Sequence, residues 1–181
     1  MSFELAVAVP LHEENVVPRW QVELRRHGLD CEFFPGFTLH SWAGGHLPAR
    51  LAINGTASFP FASRYGTAPI LAGFELDKSE YGPTGLTRVL PRALQRFPKR
   101  GLHVGFRTAM GRSVADLRLQ CMAAATLAAL LGGIYSDPQS GLNLSAADAI
   151  PVALAEADQF EANPADPRAW NLVPFTSWHA V

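Results

Sequence analysis

Residues 102–136 read LHVGFRTAMGRSVADLRLQCMAAATLAALLGGIYS, and the order of elements within them decides the fold. Leu102, Val104 and Phe106 alternate with smaller or polar residues at the two-residue period of a strand buried on one face. Met110-Gly111-Arg112 reads as a turn. Ser113 is a helix N-cap, and Asp116 three residues on supplies the acidic half of a capping box. Leu117, Cys121, Ala124, Ala128 and Leu131 then recur at spacings of four and three, which is one helical face. Between Cys121 and Leu131 the only non-apolar residue is Thr126, so the other faces are predicted to be covered too. Gly132-Gly133 stop the helix with residues that tolerate positive φ, and Ile134 opens another strand. A helix over 113–132, roughly 30 Å long at about 1.5 Å per residue, spans a small domain and organises its packing.

Outward from this segment, 181 residues with 48% apolar and 17% charged side chains suffice for one core without disulfide or metal staples. The same composition excludes extensive disorder. The longest apolar run, Cys121 to Ile134, falls short of the ~20 residues of a bilayer span, and no membrane association is expected. Met1-Ser2-Phe3-Glu4 lacks the basic start and small-residue cleavage site of a secretory signal, so a cytoplasmic location is expected. Cys31 and Cys121 are spaced for neither a zinc site nor a disulfide framework and are expected to be free, buried thiols.

In chain order, Phe3–Val9 alternates as a strand ended by Pro10. A helix follows, with Asn15 as N-cap, Pro18 in its first turn, and Val17, Trp20 and Leu24 on its inner stripe. Strands are predicted at Cys31–Phe34, Phe37–Trp42, Leu47–Asn54 and Ile70–Asp77, the first three paired as an antiparallel meander. Thr56–Ala68 reads as a loop whose aromatic residues fold back on the body. A helix is predicted from Thr87 to Phe97. Asp148 is the expected cap of a last helix with Pro151 in its first turn and Ile150, Leu154 and Ala157 facing inward. The order of elements gives an α+β fold: a single domain over 1–162, mostly antiparallel sheet with helices packed across it. A Pro- and aromatic-rich tail, 163–181, packs on the same domain, and Asn171–Thr176 is predicted as an edge strand.

The charge is less even than the formal total of −1 implies. Between Glu80 and Asp116 there is no acidic residue, whereas Arg88, Arg92, Arg96, Lys99, Arg100, Arg107 and Arg112 all lie there. Arg88, Arg92 and Arg96 share one helical face, where like charges cost about 0.2–0.5 kcal/mol per pair, so an offset is expected. One offset is pairing with the acidic C-terminal third or plain solvation; the other is an anionic partner. Nucleic acid is the poorer partner, because the pI is near 6.6 and no aromatic residues interleave the basic ones. Trp42, Phe59, Phe61, Tyr65, Trp170, Phe175 and Trp178 either roof the core or, where exposed, anchor an interface.

Catalytic signals are sparse. His12-Glu13-Glu14 lies at a strand-to-helix junction where an acid/base pair is possible, although acids there also complement a helix dipole. His40 and His46 flank a turn without a third metal ligand nearby. Asp30 and Glu32 raise the pKa of Cys31, the wrong direction for a nucleophile. No Gly-x-Ser-x-Gly elbow, dinucleotide fingerprint or phosphate loop is present. Neither catalytic residues nor a cofactor nor a metal is assigned, and the balance leans away from an enzyme.

The run 101–141, GLHVGFRTAMGRSVADLRLQCMAAATLAALLGGIYSDPQSG, resembles the strand, capped helix and strand of small uncharacterised α+β immunity proteins from bacterial toxin–immunity loci. The resemblance covers about a quarter of the chain. It implies a protein partner, a cognate toxin that the chain binds and neutralises, and it transfers no catalytic residue. The expected contact residues are Arg88, Arg92, Arg96, Lys99 and Arg100 with the aromatic residues Trp42, Tyr65 and Trp178. Two alternatives stand beside this one: a small enzyme using His12, Glu13 or Glu14, and a structural protein that acts as a homo-oligomer. The oligomeric state is left open.

Overall fold

A computed structural model describes residues 2–10, 15–54, 57–81 and 100–178. The chain folds as α+β: β1 (Phe3–Pro10), α1 (Val17–Arg26), β2 (Leu29–Phe33), β3 (Gly45–Ile53), β4 (Ile70–Tyr81), β5 (Gly101–Thr108), α2 (Val114–Leu131), β6 (Ile134–Asp137), β7 (Leu142–Ser145), α3 (Ala146–Ala162) and β8 (Val173–Pro174). The strands form one sheet in the order β2-β3-β4-β5-β1-β6-β7, with β8 on β4. Every pairing is antiparallel. The predicted helix Thr87–Phe97 lies outside the described residues.

Strand alternation puts Leu5, Val7 and Val9 of β1, Val104 and Phe106 of β5, and Phe74 and Leu76 of β4 on one face, all fully buried. Helix α2 lies across that face, in contact with β1, β4, β5 and β6, while α1 and α3 flank it on the same side. From Val114 to Ala128 only Asp116 escapes full burial, so α2 is enclosed by protein despite being long and apolar enough for a membrane span. Its ends are as the sequence predicts. Ser113 and Asp116 form the capping box, and Gly132 closes the helix at φ 63°.

The capping box also reaches the sheet. Asp116 Oδ2 accepts from the Ser113 N–H, and Oδ1 accepts from the N–H of Gly73 at 3.0 Å. On that edge of β4, β8 pairs at Ile70 and Leu71 and β5 pairs from Glu75 onward, so Gly73 falls in the gap between them. One carboxylate thus starts the central helix and completes the ladder where two strands fail to meet.

Three predictions are corrected. Phe37–Trp42 is not a strand: Phe37 and Leu39 turn into the core, the Thr38 hydroxyl takes the Ser41 N–H, and Trp42 N–H donates to Thr38 O. This local side-chain bonding competes with ladder formation. A strand absent from the prediction, β7, forms at Leu142–Ser145; it is a mostly exposed edge without apolar alternation. Helix α3 starts at Ser145, whose hydroxyl meets Asp148 Oδ2 at 2.6 Å, so Asp148 is the third helical residue and not the cap. Pro151 therefore sits beyond the first turn. The N–H it lacks would meet the carbonyl of Ala147, an exposed residue, so water satisfies that group at little cost. The inner stripe of α3 is Ala149, Ala153, Ala157 and Glu161, with Ile150 and Leu154 half-buried beside it.

Replacing Asp116 by Ala removes the carboxylate half of the capping box and the partner of Gly73, while the Ser113 hydroxyl still accepts from the N–H of residue 116. We expect about 2–3 kcal/mol of lost stability in urea unfolding, against about 1 kcal/mol for Ser113→Ala. Equal losses would show that the Gly73 bond contributes nothing.

Candidate protein-binding surface

The residues expected to make contacts are scattered. Arg88, Arg92, Arg96 and Lys99 lie outside the described residues, as do His12, Glu13 and Glu14. Both segments join the described chain at one end of the sheet, since Pro10 pairs with Gly101 and Gly101 with Tyr81. Arg100 is exposed there. Tyr65, expected at a surface, is 5% exposed and donates its hydroxyl to Glu161, so it belongs to the interior. Trp42 is half-buried with its ring edge-on to Phe37. Trp178 packs edge-on against Phe34 and Phe175, with centroids 5.7 and 4.8 Å away. Of the other basic residues in the acid-free stretch, Arg107 bonds Glu75 and Arg112 lies between the rings of Phe3 and Phe160.

What the topology does bring together is the second face of the sheet. All three helices pack on the first, so among the described residues the alternate side chains of β2, β3, β4, β5, β1 and β6 face away from the core. Register sets them in rows. Glu4 stands opposite Arg107, Arg107 opposite Glu75, and Glu75 opposite His46. The next row runs Ser136, Ala6, Gly105, Asp77, and the one after it Ile134, Ala8, His103, Ser79. Arg107 Nε donates to Glu75 Oε2 at 2.7 Å, and this pairing, with further attraction from Glu4 and Asp77, raises the guanidinium pKa.

Small residues form the floor of this face and longer polar side chains its relief. His46 lies over Gly73, where a Cβ would stand 2.8 Å from the imidazole Cε1; a side chain there would displace the ring. Asp77 lies over Gly105 in the same manner. Phe34 continues the outward parity of β2 beyond Phe33 and places the tail aromatics at one corner. No group of three His, Cys, Asp or Glu among the described residues is arranged to hold a metal ion.

Two further polar groups lie inside the helical layer. The Arg118 side chain is fully buried on α2, donates Nε to Glu161 and Nη2 to Asp158, and stacks 3.8 Å from the centroid of Phe59. Burial opposes the Arg118 charge, but the two carboxylates outweigh it and raise its pKa; burial and Glu161 push the Tyr65 hydroxyl up. A solvent-open cleft of about 170 Å³, lined by Arg26, His27, Phe59, Leu154 and Asp158, lies alongside. The ion group ties α2, α3 and the 57–65 loop into one body, and we read it as structural. In the second, Tyr135, Asp137, Glu156 and Arg112 lie within electrostatic reach of one another near Cys121. Burial first, then Asp137, raises the pKa of Glu156, with Tyr135 and Arg112 opposing. Cys31 and Cys121 are both free and buried, and burial pushes both thiols up.

Sequence reasoning missed the Arg118–Glu161 pair because the partners lie 43 residues apart and no local period links them. The signal available was the continuation of the alanine stripe of α3 onto Glu161, which puts a carboxylate on a buried face. Replacing Arg118 by Met strands that carboxylate and is expected to cost about 3–5 kcal/mol, whereas Arg118→Met with Glu161→Met recovers much of the loss. Thermal unfolding with a double-mutant cycle measures both.

Glu156 carries a pH signature. In the folded protein it keeps its proton to higher pH than in the unfolded chain, so stability from this group falls as the pH rises from the ordinary value of 4.5 through the raised one. Glu156→Gln should flatten that decline in urea midpoints measured across the range; an unchanged slope would show that Glu156 titrates normally. Comparison with family models, with curated proteins and with solved structures gave no match.

Proposed function

We propose that this chain is a non-enzymatic protein-binding module of immunity type, which binds and neutralises a cognate toxin through the outward face of its sheet. One observation carries the reading: the helices and core occupy one side of an eight-stranded sheet, and among the described residues Glu4, Asp77, Ser79, His103 and Arg107 stand exposed on the other. Six strands at about 4.8 Å and roughly eight residues at about 3.3 Å give it about 24 by 26 Å. That footprint approaches the ~800 Å² per partner of a standard protein interface once side-chain relief is added. Phe34 with Trp178 supplies aromatic anchors of the kind that dominate such interfaces. The resemblance of 101–141 to immunity proteins names the kind of partner. Arg88, Arg92, Arg96, Lys99 and Arg100 are not assigned to this face, and cytoplasmic residence is part of the same reading.

The test is binding to the purified products of the adjacent genes. A tight 1:1 complex is expected by calorimetry, with relief of that product's growth inhibition on co-expression. Ser79→Trp with His103→Trp, two bulky additions on the outward face, should weaken the complex at least tenfold without lowering the urea midpoint. A complex indifferent to both substitutions places the interface elsewhere, and failure of every adjacent product to bind contradicts the immunity role.

A further inference from the structure

The outward sheet face has a sign. Among the described residues, Glu4, Asp30, Glu32, Glu75 and Asp77 set five carboxylates on it against the two guanidiniums of Arg50 and Arg107, a formal excess of three negative charges. Both cations are already engaged, Arg107 by Glu75 and Arg50 by Glu32 at 3.8 Å. Asp30 is held by Arg25 from α1 at 2.7 Å. Glu4 and Asp77 remain exposed in neighbouring rows, both attracting Arg107 from a distance. Among the described residues, the most exposed large apolar side chains on it are Phe34 at 37% and Val173 at 57%.

Resting on the reading above, we infer that the occupant of this face is a protein surface rich in lysine and arginine. A polyanion is disfavoured there: nucleic acid or an anionic bilayer meets the net negative charge of the described face. A basic protein surface meets complementary potential over the central strands and can settle apolar side chains on the aromatic corner, the usual division between charge steering and central anchoring. The Glu4–Arg107–Glu75 row also sets orientation, because a partner cation is attracted at Glu4 and Asp77 and repelled at the guanidinium between them.

The experiment is an amide chemical-shift titration of the intact 181-residue protein with a deca-lysine peptide in 20 mM and 200 mM NaCl, in parallel with a 12-base-pair DNA duplex and phosphatidylglycerol vesicles. The expected result is peptide-induced shifts concentrated at Glu4, Glu32, Glu75, Asp77 and their strand neighbours, with affinity at least tenfold weaker in the higher salt. Glu4→Gln with Asp77→Asn, both exposed sites, should weaken peptide binding about fivefold while leaving the spectrum otherwise intact. The inference is overturned if the peptide shifts no residue of this face, if the duplex or vesicles bind it, or if the double variant binds the peptide as tightly as the parent. Because the probe is a peptide and not the toxin, loss of this inference and loss of the immunity reading are separate results.

Discussion

Everything in this fold depends on the burial of a helix that is covered on nearly every side. An apolar helix enclosed in this way has no solvent-facing polar stripe to orient it, and apolar contacts alone would permit many rotations about its axis. Three buried polar residues remove that freedom. Gln120 accepts from the Thr108 hydroxyl and donates to the carbonyls of Phe3 and Phe106, which sets α2 against β1 and β5. The Thr126 hydroxyl and the Ala123 carbonyl accept from Trp20 Nε1, which sets it against α1. Arg118 reaches Asp158 and Glu161 and sets it against α3. Each is costly to misplace, because an unpaired polar group in such surroundings loses hydration without return.

The consequence for function runs through geometry. With α1 and α3 aligned to α2 on one side, the hydrophobic demand of the sheet is met on that side, and the outward-facing positions are free to hold Glu4, Arg107, Glu75, Asp77 and His103. Alanine and glycine recur where strands lie deepest beneath these side chains, since Gly73 and Gly105 leave room for His46 and Asp77 to lie flat. The fold thus separates its labour: one side carries stability and the other, in the proposed reading, carries recognition.

What the sequence made legible was local. The capping box at Ser113, the glycine stop at Gly132 and the two-residue alternation of β5 rest on contacts within a few residues and appear where expected, whereas β1 forms in place but is buried on both sides from Leu5 to Val9. What it hid was long-range. Asp116 looks like a capping residue and nothing more until β5 and β8 are seen to leave Gly73 between them. The outward face was not foreseen as a surface, because its residues come from six strands distributed from Glu4 to Ser136 and only the register aligns them. Phe37–Trp42 misled because its apolar residues alternate like a strand while Thr38 and Ser41 bond locally and turn the chain.

The most direct measurement is amide and side-chain relaxation of the intact protein by a soluble gadolinium chelate, which reads depth from solvent along the whole chain. The account predicts negligible enhancement from Leu117 to Ala128 on every side of α2, together with strong enhancement at Glu4, His46, Asp77 and His103. Enhancement on one side of α2 at the level of a surface helix, or protection of those four sheet residues in the free protein, would contradict it.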